Sequence, residues 1–139
     1  MTQMTVIGEK YAREAFLGKR TMPSTMYLGL TNSTNITTLA DAYSTEPVAN
    51  VDYARKPVLA LPQSGSLSWI YAVEGSDDLA YVEVQWVSNT ADIGPVSKIF
   101  LTDAASGSSG NVFTIWDLSS SEVIIPRYVT FQKKISFYV

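Results

Sequence analysis

In Ala80-Tyr81-Val82-Glu83-Val84-Gln85-Trp86, apolar residues occupy every second position along the whole segment. A period of two is typical of a β-strand with one face in the core and the other face in water. We therefore expect residues 80–86 to form a half-buried strand. The same signal recurs on both sides of this stretch, which makes the chain mainly β.

Seven further segments carry strand signals, and turn sequences such as Gln63-Ser64-Gly65-Ser66 separate them. Pro57 interrupts one segment and predicts an edge strand or a bulge there. Short strands at this spacing favour a single antiparallel β-sandwich or flattened barrel, here of about eight strands with one N-terminal helix. The predicted strands cover residues 25–31, 53–61, 67–73, 80–86, 96–103, 112–118, 122–125 and 129–139.

The N-terminal helix is predicted over residues 5–18, and Pro23 follows it. Residues 32–52 form a long polar connection with room for one helical turn, and such connections often bind partners. At 139 residues the chain has the size of one domain, so residues 1–139 are taken as a single unit. The apolar stripe of the helix is expected to consist of Ile7, Tyr11, Ala15, Phe16 and Leu17.

Composition argues against catalysis. The chain has no His and no Cys, which removes the commonest general base, the commonest metal ligand and the thiolate nucleophile. Sixteen serines offer hydroxyl groups, but nothing in the sequence pairs one of them with a base. We therefore expect a protein that is not an enzyme and that needs no cofactor and no metal.

The low content of charged residues indicates a protein whose surface contacts other proteins. Charged residues make up 17% of the chain, while Ser and Thr number 16 and 13. About 25% charged residues is usual for a soluble domain, and interface cores are depleted in charge. The alternative reading is a Ser/Thr-rich β protein with an ordinary neutral surface.

The distribution of charge makes nucleic acid an unexpected partner. Residues 1–20 carry a net charge of +2, residues 41–103 carry −6 and residues 104–139 carry +1. Nucleic-acid binding needs a basic stripe, and the body of this chain is acidic. No segment approaches the roughly 20 apolar residues of a membrane span, and no signal-peptide pattern opens the chain. We expect synthesis in a cytoplasm and no membrane partner.

Two segments have some of the residues of a ligand site. Asp77 and Asp78, with Glu74 nearby, could hold Ca²⁺, but they lack the full spacing of a calcium loop, and a solvated hairpin turn is the favoured interpretation. Residues 107–110 are rich in glycine but lack the lysine and helix of a phosphate-binding loop, so a turn is predicted there as well.

Four segments, taken in order, resemble a family of small structural proteins of tailed-bacteriophage particles. They span about residues 10–116, and the resemblance is weak from Leu118 onward. In the family a helix and a proline precede a strand, and Gly-Tyr-Ala-Arg, Asn-x-x-Asp-Ile and Asp-Ala-Ala-Ser-Gly motifs follow. The matching segments here are Ala15–Leu30, Val51–Arg55, Val87–Ile93 and Lys98–Gly107.

The resemblance implies a part of the virion that is made in the host bacterial cytoplasm. The favoured role is a capsid decoration (cement) protein that braces the head by binding the major capsid protein. The alternative is a neck, collar or tail-fibre subunit that binds a host-surface glycan, for which a cluster of exposed Trp or Tyr would be the sign. Such proteins commonly assemble as trimers or rings, so a homo-oligomer is expected.

Partner contacts are predicted in three parts of the chain: the N-terminal helix, the long connection with the residues just after it, and the terminal strand. Arg55 is read either as a solvated residue at a strand start or as a charge that fixes a partner. Lys133 interrupts the apolar face of the last strand and is expected to lie inward or at a sheet edge. The predicted contact residues are Lys10, Arg13, Arg20, Asn32, Asn35, Tyr43, Arg55 and Lys133.

Overall fold

A computed structural model describes residues 2–71, 78–118 and 121–138. The protein is mainly β, as predicted, with ten strands in the described residues, several of them only two to four residues long. The elements in chain order are β1 (Thr2–Met4), α1 (Val6–Phe16), β2 (Thr25–Thr31), α2 (Leu39–Tyr43), β3 (Lys56–Leu59), β4 (Ile70–Tyr71), β5 (Asp78–Trp86), β6 (Ile93–Val96), β7 (Lys98–Thr102), β8 (Val112–Asp117), β9 (Val123–Ile125) and β10 (Phe131–Tyr138).

The strands form three antiparallel sheets. The largest has the order β1-β8-β7-β2-β3, the second has the order β10-β5-β4, and β6 pairs with β9 in a small third sheet. All three contribute to one apolar core, which contains Leu28 and Ile99 of the first sheet, Val82 and Trp86 of the second, and Ile93 of the third. The core lies between the sheets, so the arrangement is sandwich-like.

Helix α1 begins at Thr5, whose side-chain oxygen accepts the N–H of Gly8 at 2.9 Å, an N-cap hydrogen bond. Ile7 and Tyr11 pack against the core, but Phe16 and Leu17, expected on the same stripe, are exposed. The helix lies against β8 in its first two turns: a Cβ at Gly8 would lie 2.2 Å from the Phe113 carbonyl oxygen, and the Tyr11 and Phe113 ring centres are 5.0 Å apart. The end of the helix therefore projects past its support.

The long connection contains the expected helical turn, α2. Thr38 and Asp41 form a capping box at its start. Leu39 and Ala42 are buried against Phe100 of β7 and against β8, so α2 covers the outer face of the largest sheet. This cover explains why β2 and β7 are buried on both faces instead of alternating.

The predicted strand boundaries need four corrections. Segment 53–61 shortens to β3, since the side chains at its start turn inward. Segment 67–73 leaves only β4 among the described residues, because residues 67–69 instead pair with Leu59. Segment 96–103 divides at Ser97 into β6 and β7, where the Ser97 N–H binds the Thr31 carbonyl oxygen. The last strand begins at Phe131, and Val129 lies exposed in the preceding turn.

Candidate interaction surfaces

A buried ion pair between Glu46 and Arg55 fixes the end of the long connection. The guanidinium donates to the carboxylate twice, with Nη2–Oε1 and Nε–Oε2 distances of 2.7 and 2.9 Å. Both side chains are 1% exposed. Arg55 also donates to the carbonyl oxygens of Ala104 (2.9 Å) and Gly107 (2.6 Å) in the β7–β8 loop. Its contacts are internal and its charge is compensated, so the prediction that Arg55 contacts a partner is corrected.

Tyr53 joins this ion pair to the sheet. Its hydroxyl donates to Glu46 Oε2 at 2.6 Å and accepts the N–H of Leu30 at 2.9 Å. That N–H lies beyond the end of β3, whose pairing with β2 stops at Lys56. Burial and the neighbouring Glu46 raise the pKa of Tyr53 above its ordinary value, so the phenol stays protonated and keeps donating at neutral pH.

Three loops, residues 47–52, 87–92 and 126–129, hydrogen-bond to one another and form a surface that we call the loop face. Ser88 lies at their junction and is buried. Asn50 Nδ2 donates to Ser88 Oγ at 3.2 Å and to the Ala91 carbonyl oxygen at 3.1 Å. The N–H of Tyr128 donates to the Ser88 carbonyl oxygen at 2.8 Å. These bonds hold the backbone of the loop face in one arrangement.

Two exposed carboxylates of the loop face are held by backbone N–H groups. Asp52 accepts the N–H of Asn89 at 2.9 Å, and this bond is the main cause of the lowered pKa of Asp52. Asp92 accepts the N–H of Arg127 at 2.8 Å. The Arg127 guanidinium lies 4.5 Å from the centre of the Tyr128 ring and donates to the Asn89 carbonyl oxygen. Among the described residues, no cation lies within 4.0 Å of either carboxylate.

The loop face also exposes apolar side chains. Tyr128 has a φ of 69°, a left-handed conformation that is rare for a bulky residue. Its ring is exposed, and so are four valines of the same three loops. Apolar groups gathered on a fixed backbone are what a docking surface offers a partner. The exposed fractions are 81% for Val51, 64% for Tyr128, 51% for Val48, 48% for Val129 and 42% for Val87.

A second exposed apolar site lies at the end of α1. Phe16 and Leu17 are 91% and 65% exposed. Lys10 and Arg13 share a helix face with Leu17, since they stand seven and four residues before it, and Lys19 stands two residues after it. We call these five residues the helix corner. Arg13 reaches Glu9 at 4.0 Å, and within the described ranges Lys10 and Lys19 have no carboxylate at that distance.

The remaining predicted helix contact, Arg20, is turned back onto its own helix. Its guanidinium lies 3.9 Å from the centre of the Tyr11 ring and donates a hydrogen bond to Glu14. Lys10 and Arg13, by contrast, project from the exposed side of the helix corner. The structure thus places two of the three predicted helix residues on one surface.

The structure brings Asn32 and Asn35 together in a polar recess of about 320 Å³, which hydroxyl groups and Asp41 line. The N–H of Asn32 donates to Thr45 Oγ1 at 2.9 Å. Tyr43, the last residue of α2, is half-buried outside this recess. Lys133 is half-buried on β10, which is an edge strand, as predicted.

The three tryptophans do not form the exposed aromatic cluster that a sugar-binding platform would need. Trp69, Trp86 and Trp116 are all buried. Trp86 Nε1 donates to the Ala54 carbonyl oxygen at 2.9 Å, and Trp116 Nε1 donates to the Ser136 carbonyl oxygen at 3.0 Å. These rings hold the sheets together, as the alternating pattern predicts.

Glu74 and Asp77, two of the three carboxylates that could hold Ca²⁺, lie outside the described residues. Of the third, Asp78, only the backbone is described, at the start of β5. In the part of the chain that the structure describes, no three His, Cys, Asp or Glu residues gather in a way that could hold a metal ion. The described helices include none that is both long enough and apolar enough to span a membrane.

The loop face was missed by sequence reasoning. Its signal is the presence of apolar residues inside turn-forming sequences, as in Asn50-Val51-Asp52 and Pro126-Arg127-Tyr128-Val129. No protein-family model matches the chain, and comparison with curated proteins and with solved structures finds no significant match.

Proposed function

We propose that this chain is a non-enzymatic structural protein of a tailed-bacteriophage particle, which acts as a decoration protein on the outside of the head. It would bind the major capsid protein and brace the shell through protein-protein contacts. The observation that carries the proposal is the pair of exposed apolar surfaces, the loop face and the helix corner, on a body of low charge. Two docking sites on one small domain suit a protein that bridges its neighbours.

The construction of the loop face supports this role. Its backbone is held by the hydrogen bonds of Ser88, Asn50 and Asp52 before any partner arrives. A preorganised surface loses little conformational entropy on binding, so modest contacts suffice. Repetition over a symmetric shell then multiplies weak contacts into stable attachment. The resemblance of Val51–Arg55 and Val87–Ile93 to phage structural proteins falls largely on two of the three loops.

The experiment is localisation on intact virions of the phage that encodes the chain, by antibody labelling under the electron microscope. Label spread over the heads supports decoration, and heads that lack the protein should then burst more readily under osmotic shock. Label confined to the neck or tail would replace decoration with a connector or fibre role. Absence of the protein from purified particles would contradict the structural role altogether.

A variant sharpens the same experiment. Val51→Ser together with Val129→Ser removes two exposed apolar side chains of the loop face and touches none of its hydrogen bonds. Val6→Ser together with Ile70→Ser is a matched control, because both residues are exposed elsewhere. If the loop face contributes to attachment, either by contact with the capsid or by contact with neighbouring copies of the chain, particle occupancy should fall with the first pair and not with the second.

A further inference from the structure

The helix corner and the loop face are anchored near different ends of β2, since Tyr11 of α1 packs on Phe113 beside the start of that strand. Residues 18–24 lead from the helix corner to Thr25, the first residue of β2. At the other end of β2, the Ser97 N–H binds Thr31, and Tyr53, which follows the loop-face residue Asp52, binds the Leu30 N–H. A strand of this length spans about 20 Å. The contacts that anchor the two surfaces are therefore separated by most of the length of this strand.

The two surfaces have opposite charge. The helix corner presents Lys10, Arg13 and Lys19, of which only Arg13 has a carboxylate within 4.0 Å among the described residues. The loop face presents Asp52 and Asp92, whose oxygens accept backbone N–H groups. Its one cation, Arg127, donates to the Asn89 carbonyl oxygen, so the three loops carry a net charge of −1. The net charges of the two surfaces are therefore of opposite sign.

The two surfaces also match in their apolar groups. Phe16 and Leu17 form a protruding pair, because the helix extends beyond the part that packs on β8. The loop face carries its valines and Tyr128 around a junction that Ser88 holds in place. A protruding aromatic residue that fits among exposed aliphatic groups is the usual centre of an interface, with charges at its rim.

We propose that the helix corner of one copy docks on the loop face of the next copy, so that the chain associates head to tail. A contact between two different surfaces of the same chain is heterologous and repeats, closing into a ring or extending as a filament according to the rotation at each step. This inference names the surfaces behind the oligomer that the proposed function calls for, but its physical basis does not require a phage particle.

The test uses two doubly substituted full-length chains. Phe16→Ser with Leu17→Ser disables the helix corner, and Val51→Ser with Val129→Ser disables the loop face. Val6→Ser with Ile70→Ser again serves as the control, and far-ultraviolet circular dichroism checks that every variant is folded. Molecular mass is measured by sedimentation velocity over a range of protein concentrations.

The wild type and the control should form oligomers, while each disabled variant alone should bind itself about 10-fold to 100-fold more weakly. A mixture of the two disabled variants should form a 1:1 heterodimer and nothing larger, because each retains the one surface that the other lacks. Raised salt should weaken all of these species, since the charges at the contact are exposed.

Three results would overturn the proposal. One is a wild-type chain that stays monomeric up to ~1 mM, the weak limit of specific association. Another is a disabled variant that assembles like the wild type. The third is a mixture that forms no heterodimer. Labelling of virions tests the phage role separately, so a monomeric chain found on particles would refute self-association alone, and an oligomer absent from particles would refute the virion role alone.

Discussion

Carboxylate side chains have opposite roles at the buried end of the long connection and on the loop face. Glu46 and Arg55 form a buried ion pair, and both side chains also form hydrogen bonds with other groups of the same chain. Asp52 and Asp92 stand in solvent, where backbone N–H groups hold their oxygens without cancelling their charge. The first region uses its charges to fix the fold, and the second leaves its charges available to a partner.

This difference assigns separate tasks to neighbouring stretches of chain. Val51 stands only five positions after Glu46, yet Glu46 is buried and Val51 is among the most exposed apolar residues. Because the ion pair anchors residues 46–55, the loop that carries Val51 and Asp52 starts and ends at fixed points. Disturbing the buried region should therefore cost stability, while disturbing the loop face should cost only association.

The largest effect is expected from Arg55→Met, which leaves the Glu46 carboxylate buried without its cation. Removal of one partner of a buried pair costs about 3–5 kcal/mol in the free energy of unfolding. Urea denaturation followed by tryptophan fluorescence would measure the loss. Lys98→Met is the matched control, because its partner Asp117 is 47% exposed, and surface pairs contribute about 0–1 kcal/mol.

The double variant Glu46→Leu with Arg55→Met separates a missing partner from lost packing. It removes both charges and should recover part of the loss caused by Arg55→Met alone. An Arg55→Met variant as stable as the wild type would mean that the Glu46–Arg55 ion pair does not anchor the long connection. The charges of the buried region would then contribute no more to stability than those of the loop face.

A smaller loss is expected from Gly29→Ala on the covered face of β2. An added Cβ would lie 2.5 Å from the Phe100 ring and 3.0 Å from the Tyr53 hydroxyl. Overpacking of this kind costs about 1–3 kcal/mol, again measured by urea denaturation. Phe100→Leu should cost less in the Gly29→Ala background than in the wild type, since it makes room for the methyl group. Equal costs in the two backgrounds would contradict this account.

Carboxylates held by N–H groups predict loss of stability in acid. The N–H groups of Thr37 and Thr38 lower the pKa of Asp41 from 3.8 to about 2, and the Asn89 N–H lowers that of Asp52. A lowered pKa in the folded state stabilises the protein above the unfolded value, and this contribution disappears as pH falls from about 4 to about 2. The melting temperature should therefore drop across that window.

The Asp41→Asn variant should show a shallower drop than the wild type over the same pH window. Glu122→Gln, which removes an exposed carboxylate elsewhere, serves as the control and should follow the wild-type curve. Identical slopes for Asp41→Asn and the wild type would show that the capping box of α2 does not contribute to the acid dependence.

The smallest effect is expected at Thr114 of β8. Its hydroxyl is buried and has no hydrogen-bond partner among the described residues. Thr114→Val replaces this hydroxyl with a methyl group of similar size, so the free energy of unfolding should stay the same or rise by up to about 1 kcal/mol. Differential scanning calorimetry would detect the change. A clear loss of stability would mean that the Thr114 hydroxyl makes a stabilising hydrogen bond.

The regular strands could be predicted because their signal is local. Residues 25–31 and 80–86 alternate with the period of a strand, and β2 and β5 occupy those positions. The helical turn within the long connection is a local feature as well, because neighbouring residues determine it. A period or a capping motif needs no knowledge of the rest of the fold.

The candidate surfaces could not be predicted in the same way, because they depend on distant segments. The prediction for Arg55 was wrong since nothing near it in sequence reveals that Ala104 and Gly107 would supply acceptors. The loop face joins residues such as Asn50 and Ser88, which stand 38 positions apart. The sequence pattern places Phe16 on the apolar stripe of the helix. Phe16 is nevertheless exposed, because the helix extends beyond β8 before it reaches this residue.

The Ser88 junction has a consequence for how this surface can change over generations. The side chains that hold the three loops, those of Ser88, Asn50 and Asp52, are different from the side chains that project outward. Substitutions at the projecting positions therefore leave the supporting framework intact. Such a division lets binding preference drift without loss of the fold, and it makes the loop face a suitable scaffold for displaying randomised residues in a selection experiment.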